Sequence, residues 1–419
     1  MRGYLLFLQA MLATAAACRD AVPLGNRTEP GVPPRDAVPI AGQQLYVPSG
    51  FSVRVFAQGL YGVRNLALRP GGTVYAALSA AGTIVQLVDT SCRGVGDSVV
   101  TILSGLDYPF GMAFRGDTLY FAEQTTVKRL DPAMTTPVTL VSNLPSGGHV
   151  TRTLVFGPDN LMYVAIGSSC NVCDEADPRR AAVVRYNLDG SGEHVFATGL
   201  RNSVGLAFHP TTGALWANNN DRDNIGPTQD VTDTLPPEHL NILSDGKWYG
   251  WPQCYLPGAP NPEYVGADCS TVTPPALTFQ AHSAPLGLVF YGGAMFPPDY
   301  GGDAFMTYHG SWNRTVPTGA KVVRVHVQNG LPLSIEDFVT GWQLADGSRW
   351  GRPVGIVVAS DGALLVADDL GGVIWRVSYS PVPAMSRGAT QRIGVTPRGF
   401  TRTSGPSRTQ TGTMVNGQR

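Results

Sequence analysis

The sequence predicts an all-β fold, a six-bladed β-propeller of four-stranded antiparallel blades. Three observations predict it. One hairpin pattern recurs six times along the chain. The 50 glycines and 33 prolines suit many short strands joined by turns better than they suit helices. Stretches with helical periodicity are scarce.

The pattern is a small residue, an apolar pair, a Gly or Asp turn, then a strand ending near Ala. The first copy is Val63-Arg64-Asn65-Leu66-Ala67-Leu68, turning at Gly71-Gly72 into Thr73-Val74-Tyr75-Ala76-Ala77. The second is Gly111-Met112-Ala113-Phe114, turning at Gly116-Asp117 into Leu119-Tyr120-Phe121-Ala122. The third is Leu154-Val155-Phe156, turning at Pro158-Asp159-Asn160 into Leu161-Met162-Tyr163-Val164-Ala165. The fourth is Gly205-Leu206-Ala207-Phe208, turning at Thr212-Gly213 into Leu215-Trp216-Ala217. The fifth is Gly287-Leu288-Val289-Phe290, reaching Ala304-Phe305-Met306 after an insertion. The sixth is Gly355-Ile356-Val357-Val358, turning at Asp361-Gly362 into Leu364-Leu365-Val366-Ala367. Each copy is two short β-runs around a tight turn, the signature of a hairpin. A lone hairpin cannot bury its faces in water, so stacking around an axis is the physical solution. Most copies are spaced like propeller blades. A β-sandwich would not need the same motif six times. Long insertions lie between copies four and five and between five and six, where propeller loops cover one face.

Apolar residues make up 43% of the chain, ample for a core, and charged residues 15%. The formal net charge of −1 excludes a broad nucleic-acid or membrane-surface footprint.

The expected domains are a signal peptide over residues 1–18, a linker over 19–41, the propeller over 42–383 and a basic tail over 384–419. Met1-Arg2 gives a positive start, and residues 4–17 form an apolar run of signal-peptide length, too short for a membrane span. Cleavage after Ala17 would give an ordinary secreted chain. Alternatively, Cys18 carries a lipid anchor, although Ala15 stands where a lipobox usually has Leu. The linker is rich in Pro, Gly and charge. The tail carries six arginines and no acidic residue, and its composition favours disorder.

Export implies an oxidising compartment, so the cysteines are read as disulfide candidates. Cys170 and Cys173 form a C-x-x-C, followed by Asp174 rather than the His that haem attachment requires. A small loop disulfide is the better reading. Cys254 and Cys269 flank a Pro- and Gly-rich stretch and could pair, leaving Cys92 over. Sequence alone does not fix the connectivity.

The chemistry-bearing candidates stand just before the repeated strands, at the mouth of the central channel. They are Arg64, His149, Arg201 with Asn202, His282 and the Arg352 segment. His309, Trp312, Asn313 and Arg314 follow the second strand of copy five. Arginines converging on one cavity without matching carboxylates call for an anionic ligand. A polycarboxylate or phosphate would supply it, and Arg suits forked carboxylate contacts.

Several strings then occur in a fixed order. They are Gly147-Gly148-His149-Val150-Thr151-Arg152, Gly167-Ser168-Ser169-Cys170-Asn171-Val172-Cys173, Gly199-Leu200-Arg201-Asn202 and Asn220-Asp221-Arg222-Asp223-Asn224. Pro236-Pro237-Glu238, Tyr249-Gly250-Trp251-Pro252 and His282-Ser283-Ala284-Pro285-Leu286-Gly287 follow. His309-Gly310-Ser311-Trp312-Asn313-Arg314 and Gly351-Arg352-Pro353-Val354 complete the set. In these the chain resembles the soluble glucose/sorbosone dehydrogenases that depend on pyrroloquinoline quinone (PQQ), with the sorbosone/pyranose branch the better match.

The resemblance implies oxidation of an aldose, pyranose or sorbosone-like sugar at its anomeric or aldehyde carbon, with PQQ and calcium as cofactors. His149 matches the general base, and Arg201 and Asn202 match the pair that hydrogen-bonds the quinone. Arg64, Arg314 and Arg352 match positions that hold PQQ carboxylates, although the fifth-blade match leaves Arg314 and Lys321 as alternatives. His309 and Trp312 join the cofactor-binding set, Trp312 by stacking. Asp221 and Asp223 offer carboxylates for calcium, or main-chain carbonyls supply the ligands. Tyr249-Gly250-Trp251-Pro252 reads as blade packing, and His194, His209 and His326 as structural. No C-x-x-C-His occurs, so the electron acceptor, a quinone or cytochrome, is external. The competing readings are a calcium-dependent lactonase-type hydrolase and a non-catalytic binding propeller.

Overall fold

Each hairpin repeat forms the first two strands of a four-stranded antiparallel sheet, and six such sheets form the propeller. This computed structural model describes residues 37–381 apart from 41 and 92. The expected signal peptide, Cys18, Cys92 and the basic tail lie outside the described residues.

Blade 1 is Val63–Leu68, Val74–Leu78, Thr83–Val88 and Ser98–Leu103. Blade 2 is Met112–Arg115, Thr118–Ala122, Val127–Leu130 and Val138–Val141. Blade 3 is Leu154–Phe156, Met162–Ile166, Ala182–Tyr186 and His194–Thr198, with Lys247–Trp248 added in parallel at its edge. Blade 4 is Leu206–Phe208, Leu215–Asn219, Glu238–Leu243 and Leu277–Phe279. Blade 5 is Pro285–Phe290, Ala304–Tyr308, Lys321–Gln328 and Leu331–Val339. Blade 6 is Pro353–Val358, Leu364–Asp368 and Val373–Tyr379, and its fourth strand is Phe51–Gln58 from the start of the propeller. That last pairing joins the two ends of the propeller and closes the ring.

The first strands contact one another in ring order, from blade 1 through blade 6 and back. The recurring small residue has its cause here. A Cβ on Gly111 would stand 2.2 Å from Arg152 O, on Gly205 2.3 Å from Leu286 O, and on Gly287 2.5 Å from Val354 O. Each glycine lets its blade approach the backbone of the next. In blade 3 the hydroxyl of Thr153 takes this place and donates to Val204 O of blade 4. Second strands lie between neighbouring blades, so Met162–Ile166, Leu215–Asn219, Ala304–Tyr308 and Leu364–Asp368 are buried at every position. Two covered faces explain why each of these runs opens with at least three consecutive apolar residues rather than alternating.

The expected linker over 19–41 ends earlier than its composition implies. Ala37–Ile40 pairs antiparallel with Gln43–Tyr46, turning at Gly42, whose φ of 87° favours glycine. Leu45 and Val47 then reach the core beside Trp342, and that burial anchors the segment. Two long loops within blade 4 carry a short helix, Gln229–Thr234, between its second and third strands, and a hairpin, Cys254–Leu256 with Ala259–Pro260, between its third and fourth. Disulfides join Cys170 to Cys173 and Cys254 to Cys269.

Aromatic packing is dense where the ring closes. Phe51 lies edge-on to Phe296 at 4.8 Å and to Phe338 at 5.0 Å, in one core with Trp342 and Trp375. Phe51→Ala should destabilise the protein by about 3–5 kcal/mol. Val316→Ala, at a site 70% exposed, should change stability by no more than about 0.5 kcal/mol. Denaturant midpoints of the two variants check this, and equal midpoints would refute the closing role of the Phe51 strand.

Candidate functional site

A cavity of about 210 Å³ opens on the axis, lined from the starts of first strands and the ends of second strands. The two sets lie at one rim because the strands of each hairpin run antiparallel. The starts supply Arg64, His149, Arg201, Asn202, His282 and Arg352. The ends supply His309 directly after Ala304–Tyr308, and Asn220, Asp221 and Asp223 after Leu215–Asn219.

His149 is held by one neighbour. Its Nδ1 lies 3.0 Å from both the carbonyl oxygen and the Oγ of Ser168. Ser168 Oγ donates its own hydrogen to Cys170 O at 2.7 Å. Both Ser168 oxygens therefore accept from His149, so Nδ1 carries the proton. Nε2 is left with a lone pair and, among the described residues, no protein partner. Burial pulls the imidazole down to about 3, and the guanidiniums of Arg201, Arg152 and Arg180 pull in the same direction against the Ser168 hydrogen bond.

Arg152 stands behind the base with no side-chain exposure. It donates to His149 O at 2.7 Å, Thr151 O at 2.8 Å and Pro145 O at 2.5 Å. No carboxylate pairs with it among the described residues. Arg180 donates to Gly147 O, Gly167 O and Ser146 O. Two buried cations thus fix the 145–152 loop through its carbonyls.

Arg201 is enclosed by the loops between the second and third strands of blades 3 and 4. Nη1 donates to Asp221 O at 2.8 Å, Nη2 to Asn171 Oδ1 at 3.0 Å and Asp223 Oδ2 at 2.9 Å, and Nε to Asn171 O at 3.2 Å. The backbone of Asn202 is pinned by Asn219 and Asn220, while its side-chain amide makes no hydrogen bond to the described residues.

On the opposite side Asp369 joins two cofactor candidates. It accepts from Arg64 Nη1 at 2.6 Å and lies 3.0 Å from His309 Nε2. Burial alone would raise the Asp369 carboxyl, but His309 and Arg64 together hold it at about 2. Burial takes His309 down to about 4, so near neutral pH it donates to Asp369 as an uncharged ring. Arg352 donates to His309 O at 3.0 Å and Gly310 O at 3.1 Å. Trp312 stands at the mouth, 72% exposed.

Two expectations are corrected. The arginines do not converge without carboxylates: Asp369 pairs with Arg64, and Asp223 with Arg201. Arg314 does not line the cavity, because its guanidinium is turned to the carbonyls of Asp233, Ala281 and Val316. Lys321 is elsewhere too, paired with Asp337 at 2.5 Å. Asp221 and Asp223 both reach the cavity, where their carboxylates contact protein groups. Asp221 Oδ2 lies 2.8 Å from His239 Nε2 and its Oδ1 accepts from Arg222 N. Asp223 is engaged by Arg201 and Asn313. Among the described residues the one group of three metal-ligating side chains is Cys170, Cys173 and Glu175, and its two cysteines form a disulfide.

The donor set does fit an anionic planar quinone. Arg64 Nε is buried without a partner, the Asn202 amide is unengaged, and Arg352 has no direct carboxylate partner. His282 donates instead to loop carbonyls at Thr232 and Leu235, and so shapes the wall. His194, His209 and His326 lie outside the cavity lining.

The sequence matches the TrAA12-like family over residues 45–261 and 256–380. The chain belongs to this family. An uncharacterised protein of Borreliella burgdorferi is 29% identical over 81% of this chain and 92% of its own length. A pyrroloquinoline quinone-dependent sugar dehydrogenase of Hypocrea jecorina is 27% identical over 76% of this chain and 81% of its own. A pyrroloquinoline quinone-dependent pyranose dehydrogenase of Coprinopsis cinerea is 26% identical, and the match spans 55% of that longer protein. The calcium structure of a Trichoderma reesei carbohydrate-active enzyme of family AA12 superposes with a TM-score of 0.70 at 24% identity, covering 85% of this chain and all of that one. That likeness shows the same fold.

Against this TrAA12-like frame, sequence reasoning missed Asp369, Asn220 and the role of Glu238. All three stand at or near the cavity rim. The exits of the second strands carried the signal, since His309 was found there and Asn220 and Asp369 occupy equivalent places in blades 4 and 6. Glu238 is fully enclosed, and its Oε2 accepts from Asp221 N at 2.8 Å. Burial pushes its carboxyl up to about 8, against that hydrogen bond and with the Asp221 charge adding to the rise.

This raised value makes a stability prediction with a definite sign. Between the ordinary 4.5 and about 8 the folded protein holds a proton that the unfolded chain releases. The stabilisation is complete below the lower value and is lost as pH rises through the upper one. Ligand-free protein in EDTA should lose stability from about pH 5 to about pH 9, and Glu238→Gln should flatten that slope. Parallel melting-temperature curves for the two proteins would refute the protonated carboxyl.

Proposed function

We propose that this chain is an exported PQQ-dependent dehydrogenase that oxidises a pyranose or related sugar at its anomeric or aldehyde carbon. The observation that carries the reading is the tautomer of His149. It presents an unprotonated Nε2 on the wall of a cavity also lined by Arg64, Arg201 and Arg352. PQQ, when bound, supplies the acceptor for the two electrons and the hydrogen leaving the sugar carbon.

The protein's own residues do the rest. Arg64 and Arg352 hold carboxylates, and Arg201 with Asn202 stabilises negative charge developing on the acceptor. His149 Nε2 takes the proton of the sugar hydroxyl. In the empty site burial, with the guanidiniums of Arg201, Arg152 and Arg180 adding to it, makes the imidazole a weak base. A polyanionic ligand would offset the guanidinium part of that effect. Export is supported by the apolar run at residues 4–17 and by two disulfides. No helix among the described residues is long and apolar enough to cross a membrane. The electrons pass to an external acceptor.

The lactonase reading is less favoured, since Arg and His from several blades line the cavity, while its acidic groups do not come from separate blades. Calcium enters the test as a separate additive.

The test is dye-linked oxidation of a panel of aldoses, pyranoses and sorbosone by the full-length protein, with PQQ and calcium added separately and together. Activity should require PQQ. His149→Ala should lower kcat by about 10²–10⁴-fold and leave PQQ binding within a few-fold, whereas Arg201→Ala should weaken both. No PQQ binding by fluorescence titration would overturn the assignment. Binding with full activity in His149→Ala would overturn the role of the base.

A further inference from the structure

The loop between Met162–Ile166 and Ala182–Tyr186 touches both central groups of the site. It carries the Cys170–Cys173 disulfide, whose ring encloses Asn171 and Val172. From this loop we infer that the disulfide is a positioning element for His149 and Arg201 together. The inference rests on the dehydrogenase reading and adds residues to it.

Two hydrogen-bonded routes leave the ring. One runs to the base: Cys170 O accepts from Ser168 Oγ, which obliges that oxygen to accept from His149 Nδ1. Were Cys170 O to swing away, the Ser168 hydroxyl could turn and donate to the imidazole, and the tautomer presenting Nε2 as the base would lose part of its advantage. The second route runs to the arginine. Asn171 O accepts from Arg201 Nε and from Trp251 Nε1 at 3.0 Å. Asn171 Oδ1 accepts from Arg201 Nη2 and from Asp223 N at 2.8 Å. Asn171 Nδ2 donates to Asp223 O at 2.9 Å. Every polar group of that side chain is engaged, although the residue itself is exposed.

An exposed residue on an irregular loop does not hold such a network without help. Ordering each residue costs about 1–2 kcal/mol of backbone entropy, and surface loops open readily. Glu175 closes the neck, accepting from Ser169 N at 2.5 Å and Ser169 Oγ at 2.8 Å. The disulfide fixes the tip, where Cys170 and Asn171 make their contacts.

The other disulfide supplies the control. Cys254 and Cys269 are buried, at 0% and 3% exposure, in a separate small cluster with Val272. None of the hydrogen bonds to His149 or Arg201 comes from either cysteine.

The experiment compares Cys170→Ser/Cys173→Ser with Cys254→Ser/Cys269→Ser in the full chain. Three readouts are taken. They are the ¹⁵N shifts of His149 in ligand-free protein, PQQ affinity by fluorescence titration, and kcat and KM with a sugar that the wild type oxidises. The first pair should mix the His149 tautomers, weaken PQQ binding and lower kcat, the last two by about tenfold or more. The second pair should lower the melting temperature and leave all three readouts at wild-type values. If the first pair does not fold, Asn171→Ala and Ser168→Ala keep the disulfide and divide the effect, the former weakening PQQ binding and the latter shifting the tautomer. A lower melting temperature with unchanged tautomer, affinity and kcat would make the disulfide merely structural and overturn the inference. Should the wild type bind no PQQ, the dehydrogenase reading fails, and the ligand-free tautomer still decides for or against the loop.

Discussion

Six first strands meet around one axis with too little space between their backbones for ordinary side chains. This constraint governs the rest of the molecule. Where Gly111, Gly205 and Gly287 face the carbonyls of the next blade, a methyl group would already collide. The side chains that line the cavity come mostly from where first and second strands begin or end. Antiparallel pairing places first-strand starts and second-strand ends at the same rim, so one geometric rule gathers His149, Arg201, Arg352, His309 and Asp369 from different blades. The chain's long loops complete the wall, with blade 4 contributing Asn220, Asp221 and Asp223 in a single run.

Charge at that rim is balanced in two different ways. Around Arg64 and Arg201 the protein supplies carboxylates, Asp369 and Asp223, which hold the guanidiniums in place. Around Arg152 it supplies only carbonyls. A paired arginine is held rigidly, yet Arg201 still acts on His149 more strongly than any other guanidinium does. A cation with dipolar partners alone is buried at a cost in desolvation. Arg152 donates to the backbone carbonyl of His149, and its charge adds to that of Arg201 in lowering the proton affinity of the imidazole. A site meant only to bind a polyanion would gain more from turning that charge toward the cavity.

The sequence made the ring legible and the cavity only partly so. All six hairpins were visible because burial on both faces leaves short apolar runs, as in Leu364-Leu365-Val366-Ala367, and because turns need Gly or Asp. Strand Phe51–Gln58 was not assigned to blade 6, since nothing local says that a strand pairs with Val373–Tyr379 at the far end of the chain. His149 and Arg201 were legible as polar residues before strands. Asp369 was not, because a carboxylate following a strand looks like any turn residue. Arg314 was misread for the converse reason: motif position gives the Cα, while side-chain direction is set by whichever acceptors lie within reach, here the carbonyls of Asp233 and Ala281.

Tautomer and proton affinity of His149 are controlled by separate parts of the structure. Ser168 and the disulfide loop select which nitrogen carries the proton, through hydrogen bonds that act over about 3 Å. Burial and the guanidiniums set how readily the other nitrogen accepts one, through a field that acts over longer distances. The separation matters because the two requirements conflict at a single contact. A carboxylate on Nδ1 would select the same tautomer, but it would also hold a positive charge on the ring and raise its proton affinity before any ligand arrived. Neutral oxygens from Ser168 fix the geometry with a weaker pull on the charge. The imidazole then stays uncharged in the empty site, where burial is the largest influence on its proton affinity and the guanidiniums of Arg201, Arg152 and Arg180 add to it.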